Sequence, residues 1–119
     1  MPKVTGIGGA FFRAKDPQAL ALWYQDYLGV GKVDDNGQWM QEAGPSVFSP
    51  FKEDTDYFSR PEQAFMFNFR VDDLKGLLAQ LEAKGIKPTK EFEHYDGVGS
   101  FARIEDPEGN PIELWQPAE

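Results

Sequence analysis

FARIEDPEGNPIELWQP, residues 101–117, is the stretch whose reading decides the fold. It reads as a strand, a tight turn at Asp106-Pro107-Glu108-Gly109-Asn110, and a second strand with one carboxylate, Glu113, among apolar neighbours. A symmetric turn sets Arg103 opposite Glu113 and Phe101 opposite Trp115 on one face, because side chains alternate along a strand. Ile104, Ile112 and Leu114 then fall on the other face. An acid, a base and two aromatics on one sheet face make a pocket wall, while the aliphatic face is core.

The other sequence signals arrange themselves around this hairpin. Phe12-Arg13-Ala14-Lys15-Asp16 recurs as Phe69-Arg70-Val71-Asp72-Asp73, and each copy precedes a helical stretch ending in glycine, Gly29 and Gly85. A repeated order of this kind suggests duplication of one supersecondary unit. In the first unit, residues 4–14 read as a strand. Asp16 is a helix cap with Pro17 behind it, and Ala19, Leu20, Trp23, Tyr24, Tyr27 and Leu28 recur on one helical face. Asp34-Asp35-Asn36-Gly37 marks a hairpin turn between strands at 30–33 and 38–41, and 46–49 is a short further strand. In the second unit, residues 64–71 form a strand with Phe65, Phe67, Phe69 and Val71 on one face and Met66, Asn68 and Arg70 on the other. Leu74, Leu77, Leu78 and Leu81 give an amphipathic helix, and three strands follow at 86–95, 100–105 and 111–115. Residues 50–61 are polar, and Tyr57 and Phe58 are out of place there unless they fold back onto something apolar.

At 119 residues, with 40% hydrophobic and 27% charged residues, the chain suits one soluble domain. The absence of cysteine excludes disulfides and thiolate chemistry. No apolar run approaches the roughly 18 residues of a membrane span, and the first residues lack a signal-peptide core, so a cytoplasmic location is expected. The formal net charge of −8 opposes nucleic acid and anionic membranes, and favours a neutral or cationic ligand. Thr5-Gly6-Ile7-Gly8-Gly9 is not a phosphate loop, because it lies inside a strand and no helix follows directly.

With these elements in place, the sequence resembles the glyoxalase/bleomycin-resistance/dioxygenase superfamily, the vicinal-oxygen-chelate fold. FFRAKDPQALALWYQDYLG, FNFRVDDLKGLLAQLEAKGI and DPEGNPIELWQP carry the resemblance, which spans nearly the whole chain. It implies an α+β fold of two tandem βαβββ modules, closing a half-open, cup-like eight-stranded barrel with helices outside. Residues 1–119 would be a single glyoxalase-like domain, with module one at about 1–50, a linker at about 50–62 and module two at about 63–119. The resemblance also implies a homodimer, with modules exchanged between chains in some members. Metalloenzymes of the family take ligands from the first and last strands of each module. Carried over by position, these fall at Gly9, Met66, residues 46–48 and Glu113. Only Glu113 is a suitable ligand, so no metal site and no cofactor is expected. A divalent metal would need Glu113 with help from Glu42, His94 or a partner chain.

The expected function is therefore binding of a small organic molecule in a concave sheet pocket. Phe11, Trp39, Met66, Phe101 and Trp115 would supply apolar contact, and Asn68, Arg103 and Glu113 orientation. Glu113 is either paired with Arg103 or free for acid–base work. His94, the one histidine, and Tyr57 are reserve candidates for proton transfer. The alternative is a glyoxalase-like lyase, isomerase or dioxygenase using Glu113, with or without metal.

Overall fold

The computed structural model describes residues 2–119. Asp16 caps helix α1, Pro17–Trp23, by accepting the Ala19 N–H at 3.1 Å. The chain widens into a π-helical turn over Tyr24–Leu28 and stops at Gly29, whose φ of 68° suits a residue without Cβ. The second half then follows the expected order: β1 Phe67–Arg70, α2 Leu74–Ala83, β2 Lys90–Tyr95, β3 Gly99–Glu105 and β4 Pro111–Pro117. Asp73 caps α2 as Asp16 caps α1, accepting the Gly76 N–H at 3.0 Å.

The four strands form one mixed sheet in the order β1-β4-β3-β2. β1 runs parallel to β4, and the other pairs are antiparallel. The turn at residues 106–110 closes symmetrically, so Arg103 faces Glu113 and Phe101 faces Trp115. At the start of β3, Gly99 has a φ of 128° and lies so close to the Gln116 carbonyl that a Cβ would collide with it.

The aliphatic face of this sheet is the core. Ala102, Ile104, Ile112 and Leu114 pack with Leu74 and Leu81 of α2, and also with Leu20 and Tyr24 from the first helix. Two βαβββ modules with helices outside would each pack their own helix on their own strands. Instead both helices contribute to one core on the single sheet.

The difference arises in the first half. Among the described residues, strands occur only from Phe67 onward. The strands expected at 4–14, 30–33, 38–41 and 46–49 run as unpaired chain, and neither sheet edge takes them. The expected hairpin turn survives as a 3₁₀ turn, Val33–Asp35, followed by left-handed Asn36 and Gly37. A β-strand needs a hydrogen-bonding neighbour. The sheet is therefore open and four-stranded, and it does not close into an eight-stranded barrel. The radius of gyration, 14.9 Å, exceeds the roughly 13.5 Å of a compact chain of this length.

Three side chains hold the first half to the sheet. Arg70 donates to the carbonyls of Glu42 and Pro45 at 2.6 and 2.7 Å, and Gly44 leaves the room its guanidinium occupies. The second is Asp106, 5% exposed. Its carboxylate accepts the Tyr24 hydroxyl at 2.7 Å, the backbone N–H groups of Glu108 and Asn110, and the Asn110 side-chain amide. Next to it, Glu108 accepts the backbone N–H groups of Lys15 and Asp16, the entry to α1. Asp106→Ala leaves the buried Tyr24 hydroxyl without its acceptor and frees the turn. Urea unfolding should show a loss of about 3 kcal/mol; a loss below about 1 kcal/mol would show that the turn does not hold the two halves together.

Candidate functional site

The face opposite the core carries polar chemistry. Asn68 on β1 is in register with Glu113 on β4, and Glu113 is in register with Arg103 on β3. Three neighbouring strands thus put an amide, a carboxylate and a guanidinium in one row. Phe101 and Trp115 stack beside them, centroids 6.2 Å apart and planes at 11°, with Tyr95 edge-on to Phe101 at 6.0 Å.

Glu113 is half-buried and both its oxygens are engaged. Asn68 Nδ2 donates to Oε1 at 2.7 Å, and the Tyr57 hydroxyl donates to Oε2. Tyr57 comes from the polar connection, which folds back over the sheet. Its ring stacks on Phe51, 5.7 Å between centroids, and Phe51 in turn packs on Phe58. Two cations approach the same ring: the Arg103 guanidinium carbon 4.7 Å from the centroid and Lys90 Nζ at 4.9 Å. A cleft of 640 Å³ is lined by Tyr57, Lys90, Glu91, Glu93, Tyr95, Phe101, Ala102, Arg103 and Glu113.

Arg103 is the least ordinary member of the group. It is 3% exposed. Nη1 donates to Ser59 Oγ at 3.3 Å, while Nε and Nη2 are buried with no hydrogen-bond partner among the described residues. The Arg103–Glu113 ion pair, one of the two alternatives read from sequence, does not form among the described residues, although the register places the two side by side. Tyr57 and Asn68 hold the carboxylate oxygens, and the guanidinium lies against the Tyr57 ring instead.

The Tyr57 hydroxyl is pushed up from 10.0 to about 12. Burial is the main cause, followed by the hydrogen bond to Glu113 and its negative charge; Arg103 pulls the other way. The exposed Tyr95 is raised through its hydrogen bond to Glu93. A neutral phenol that donates to a carboxylate can also donate to, or hold, an oxygen of a bound molecule.

The donors do not suit a divalent metal. Among the described residues no three His, Asp or Glu side chains converge. The neighbours of Glu113 are a phenol and an amide, so the group offers a single carboxylate ligand.

Of the residues singled out from sequence, Asn68, Phe101, Arg103, Glu113, Trp115 and Tyr57 come together here. Met66, Phe11 and Trp39 border a much larger open space of 2550 Å³ between the first half and the sheet, which Asn68, Phe101, Glu113 and Trp115 border as well. Phe11 is 99% exposed, and Trp39 packs edge-on against Phe69, 6.3 Å away. His94 is not brought to the group. It lies in register with Ser100, bonds Ser100 Oγ at 2.9 Å and approaches Asp96 at 3.1 Å. Lys90 and Ser59 were missed. Lys90 faces Arg103 only because the register of β2 shifts between Lys90 and Glu93, which regular alternation does not predict, and Ser59, at a φ of 76°, carries no sequence signal for that conformation.

A small α+β domain with a mixed sheet, and a carboxylate on its final strand beside the DPEGN turn, defines the class. The profile of the Glyoxalase/Bleomycin resistance protein/Dioxygenase superfamily matches residues 6–114, and the chain belongs to that superfamily. Solved structures agree on the fold. A lactoylglutathione lyase from Agrobacterium tumefaciens is similar with a TM-score of 0.59 at 18% identity, over 97% of this chain and 96% of that one. TnmS3, an antibiotic binding protein from Streptomyces sp. CB03234, is similar with a TM-score of 0.55 at 19% identity, over 95% and 100%. A glyoxalase family protein from Enterococcus faecalis is matched over 56% of this chain and 52% of that one, at 25% identity and a TM-score of 0.42. The chain thus spans about half the length of that protein and of two other solved chains it matches. No curated protein matches it.

Because the folded value for Tyr57 lies above its ordinary one, the stability it lends is fully present below pH 10 and is lost as pH rises through about 12. A tyrosinate absorbance titration of the wild type minus Tyr57→Phe should show the missing step near pH 12. A step near pH 10 would place the phenol in free solvent.

Proposed function

We propose that this protein binds a small organic molecule on the sheet face carrying Glu113, without a bound divalent metal. The observation that carries the reading is the convergence of Asn68, Tyr57 and Arg103 on and around Glu113 beside the stacked Phe101–Trp115 wall. Such a face combines apolar area with a few convergent polar groups, the usual composition of a ligand site. A protein of this kind sequesters its ligand, and the antibiotic-binding relative supports the reading as an example of that use of the fold. No cofactor is part of this function, and its setting is cytoplasmic.

The binding unit is a homodimer. The chain exposes 9273 Å², whereas a folded monomer of 13.4 kDa exposes about 6,500 Å². The surplus is well above the roughly 800 Å² that each partner buries in a standard interface. Much of it is apolar: Val4, Phe11, Met40 and Phe48 are all more than four-fifths exposed. Pairing with a second copy gives the first-half segments the strand neighbours they lack. Module one, about 1–50, joined by the 50–62 linker to module two, about 63–119, then completes the eight-stranded cup and brings Phe11, Trp39 and Met66 to the ligand.

The Tyr57–Glu113 hydrogen bond favours a second reading, a metal-independent lyase or isomerase in which Glu113 moves a proton on the bound molecule. Ring-cleaving dioxygenase chemistry fits less well, because it calls for two histidines and the chain has one.

Metal analysis of the purified protein, with thermal melts across Ni²⁺, Zn²⁺, Fe²⁺, Mn²⁺ and Mg²⁺, should show no stoichiometric ion and no selective stabilisation. A specific upward shift that Glu113→Ala abolishes would overturn the metal-free pocket. Sedimentation equilibrium should return twice 13.4 kDa; a monomer at micromolar concentration would refute the paired cup.

A further inference from the structure

Buried polar groups in folded proteins nearly always find partners, and a buried guanidinium with two idle nitrogens is an uncommon and costly arrangement. Arg103 is in that state, and the group over it is the Tyr57 ring rather than an acceptor. Tyr57 itself is carried by the connecting segment, not by a strand, and reaches the sheet from outside. Its ring takes two cations, and its hydroxyl takes the carboxylate of Glu113. A planar ring with a hydroxyl donor therefore already fits this cleft, while the fork beside it lacks the oxygen acceptors that a guanidinium binds best.

We propose that Tyr57 is an internal stand-in for the ligand, and that the cleft takes an aromatic hydroxy acid. The hydroxyl of that ligand replaces the Tyr57 hydroxyl on Glu113, and its carboxylate meets Nε and Nη2 of Arg103. Lys90 adds a second positive charge at the ring. The segment bearing Tyr57 and Ser59 lifts to admit the ligand, releasing the single Arg103–Ser59 hydrogen bond. Glu91, Glu93 and Glu113 line the cleft as well, so an anionic group is admitted only at the end held by Arg103 and Lys90, and there the neutral or cationic ligand expected from composition gives way to an acid. This inference rests on the pocket reading above and narrows it to a ligand class.

The test is calorimetric titration of the full-length protein with 4-hydroxybenzoate and 2-hydroxybenzoate. 4-Hydroxybenzyl alcohol serves as the neutral counterpart and 1-naphthol as a neutral apolar probe. Tyr57→Ala removes the internal competitor and should bind a hydroxybenzoate about tenfold more tightly than the wild type, and prefer it to the alcohol by at least about tenfold. Adding Arg103→Met should erase the preference for the acid while leaving alcohol binding in place. If that variant fails to fold, Arg103→Lys, which keeps the charge but loses the fork, should still weaken the acid markedly. Equal binding of acid and alcohol by Tyr57→Ala, or no gain over the wild type, would overturn the proposal. Naphthol binding that Glu113→Ala abolishes, with no acid preference, would leave the pocket standing and sink the ligand class. No binding of any probe would sink both.

Discussion

The buried carboxylate of Asp106 is the point on which the rest of the molecule depends. It closes the turn between β3 and β4 by accepting two backbone N–H groups and a side-chain amide, and it reaches Tyr24 on the first helical segment. A charge in that position is stable only because every donor is in place. Through the turn it sets the register that faces Arg103 with Glu113. Through Tyr24 and the neighbouring Glu108 it anchors α1 over the aliphatic face, so the core closes on one side and the polar face is left open on the other. The site is a consequence of that division.

On the open face, competition among partners matters more than proximity. Arg103 and Glu113 are cross-strand neighbours, the arrangement in which opposite charges ordinarily pair. Glu113 instead gives its oxygens to an amide and a phenol, and Arg103 keeps two donors unused beneath an aromatic ring. A face folded only for stability would gain by joining the two charges. Holding them apart leaves the donor fork of Arg103 available to a third molecule, and this links the local energetics to a binding function.

The second half of the chain was legible because its signals are local. Strict alternation in residues 101–105 and 111–115 and a closed turn between them are enough to name which side chains share a face, and Leu74, Leu77, Leu78 and Leu81 mark a helix without reference to anything distant. The first half was not legible in the same way. Residues 4–14 have the apolar character of a strand, but strand formation depends on a neighbouring edge, and pairing is a non-local property that alternation cannot supply. The site was half legible for the same reason: Asn68, Arg103 and Glu113 follow from register, whereas the partner role of Tyr57 depends on how an irregular segment folds back. Its aromatic character in a polar stretch was the one available sign.

The most direct test of a ligand site on this face is nitrogen–proton correlation spectroscopy of the labelled protein, including the Arg103 Nε–H signal, while mixtures of small aromatic compounds are added. Shifts concentrated at Tyr57, Asn68, Phe101, Arg103, Glu113 and Trp115 are the expected result. Shifts gathered instead around His94 and Asp96, or spread evenly over the exposed first half with the Arg103 signal unmoved, would contradict it.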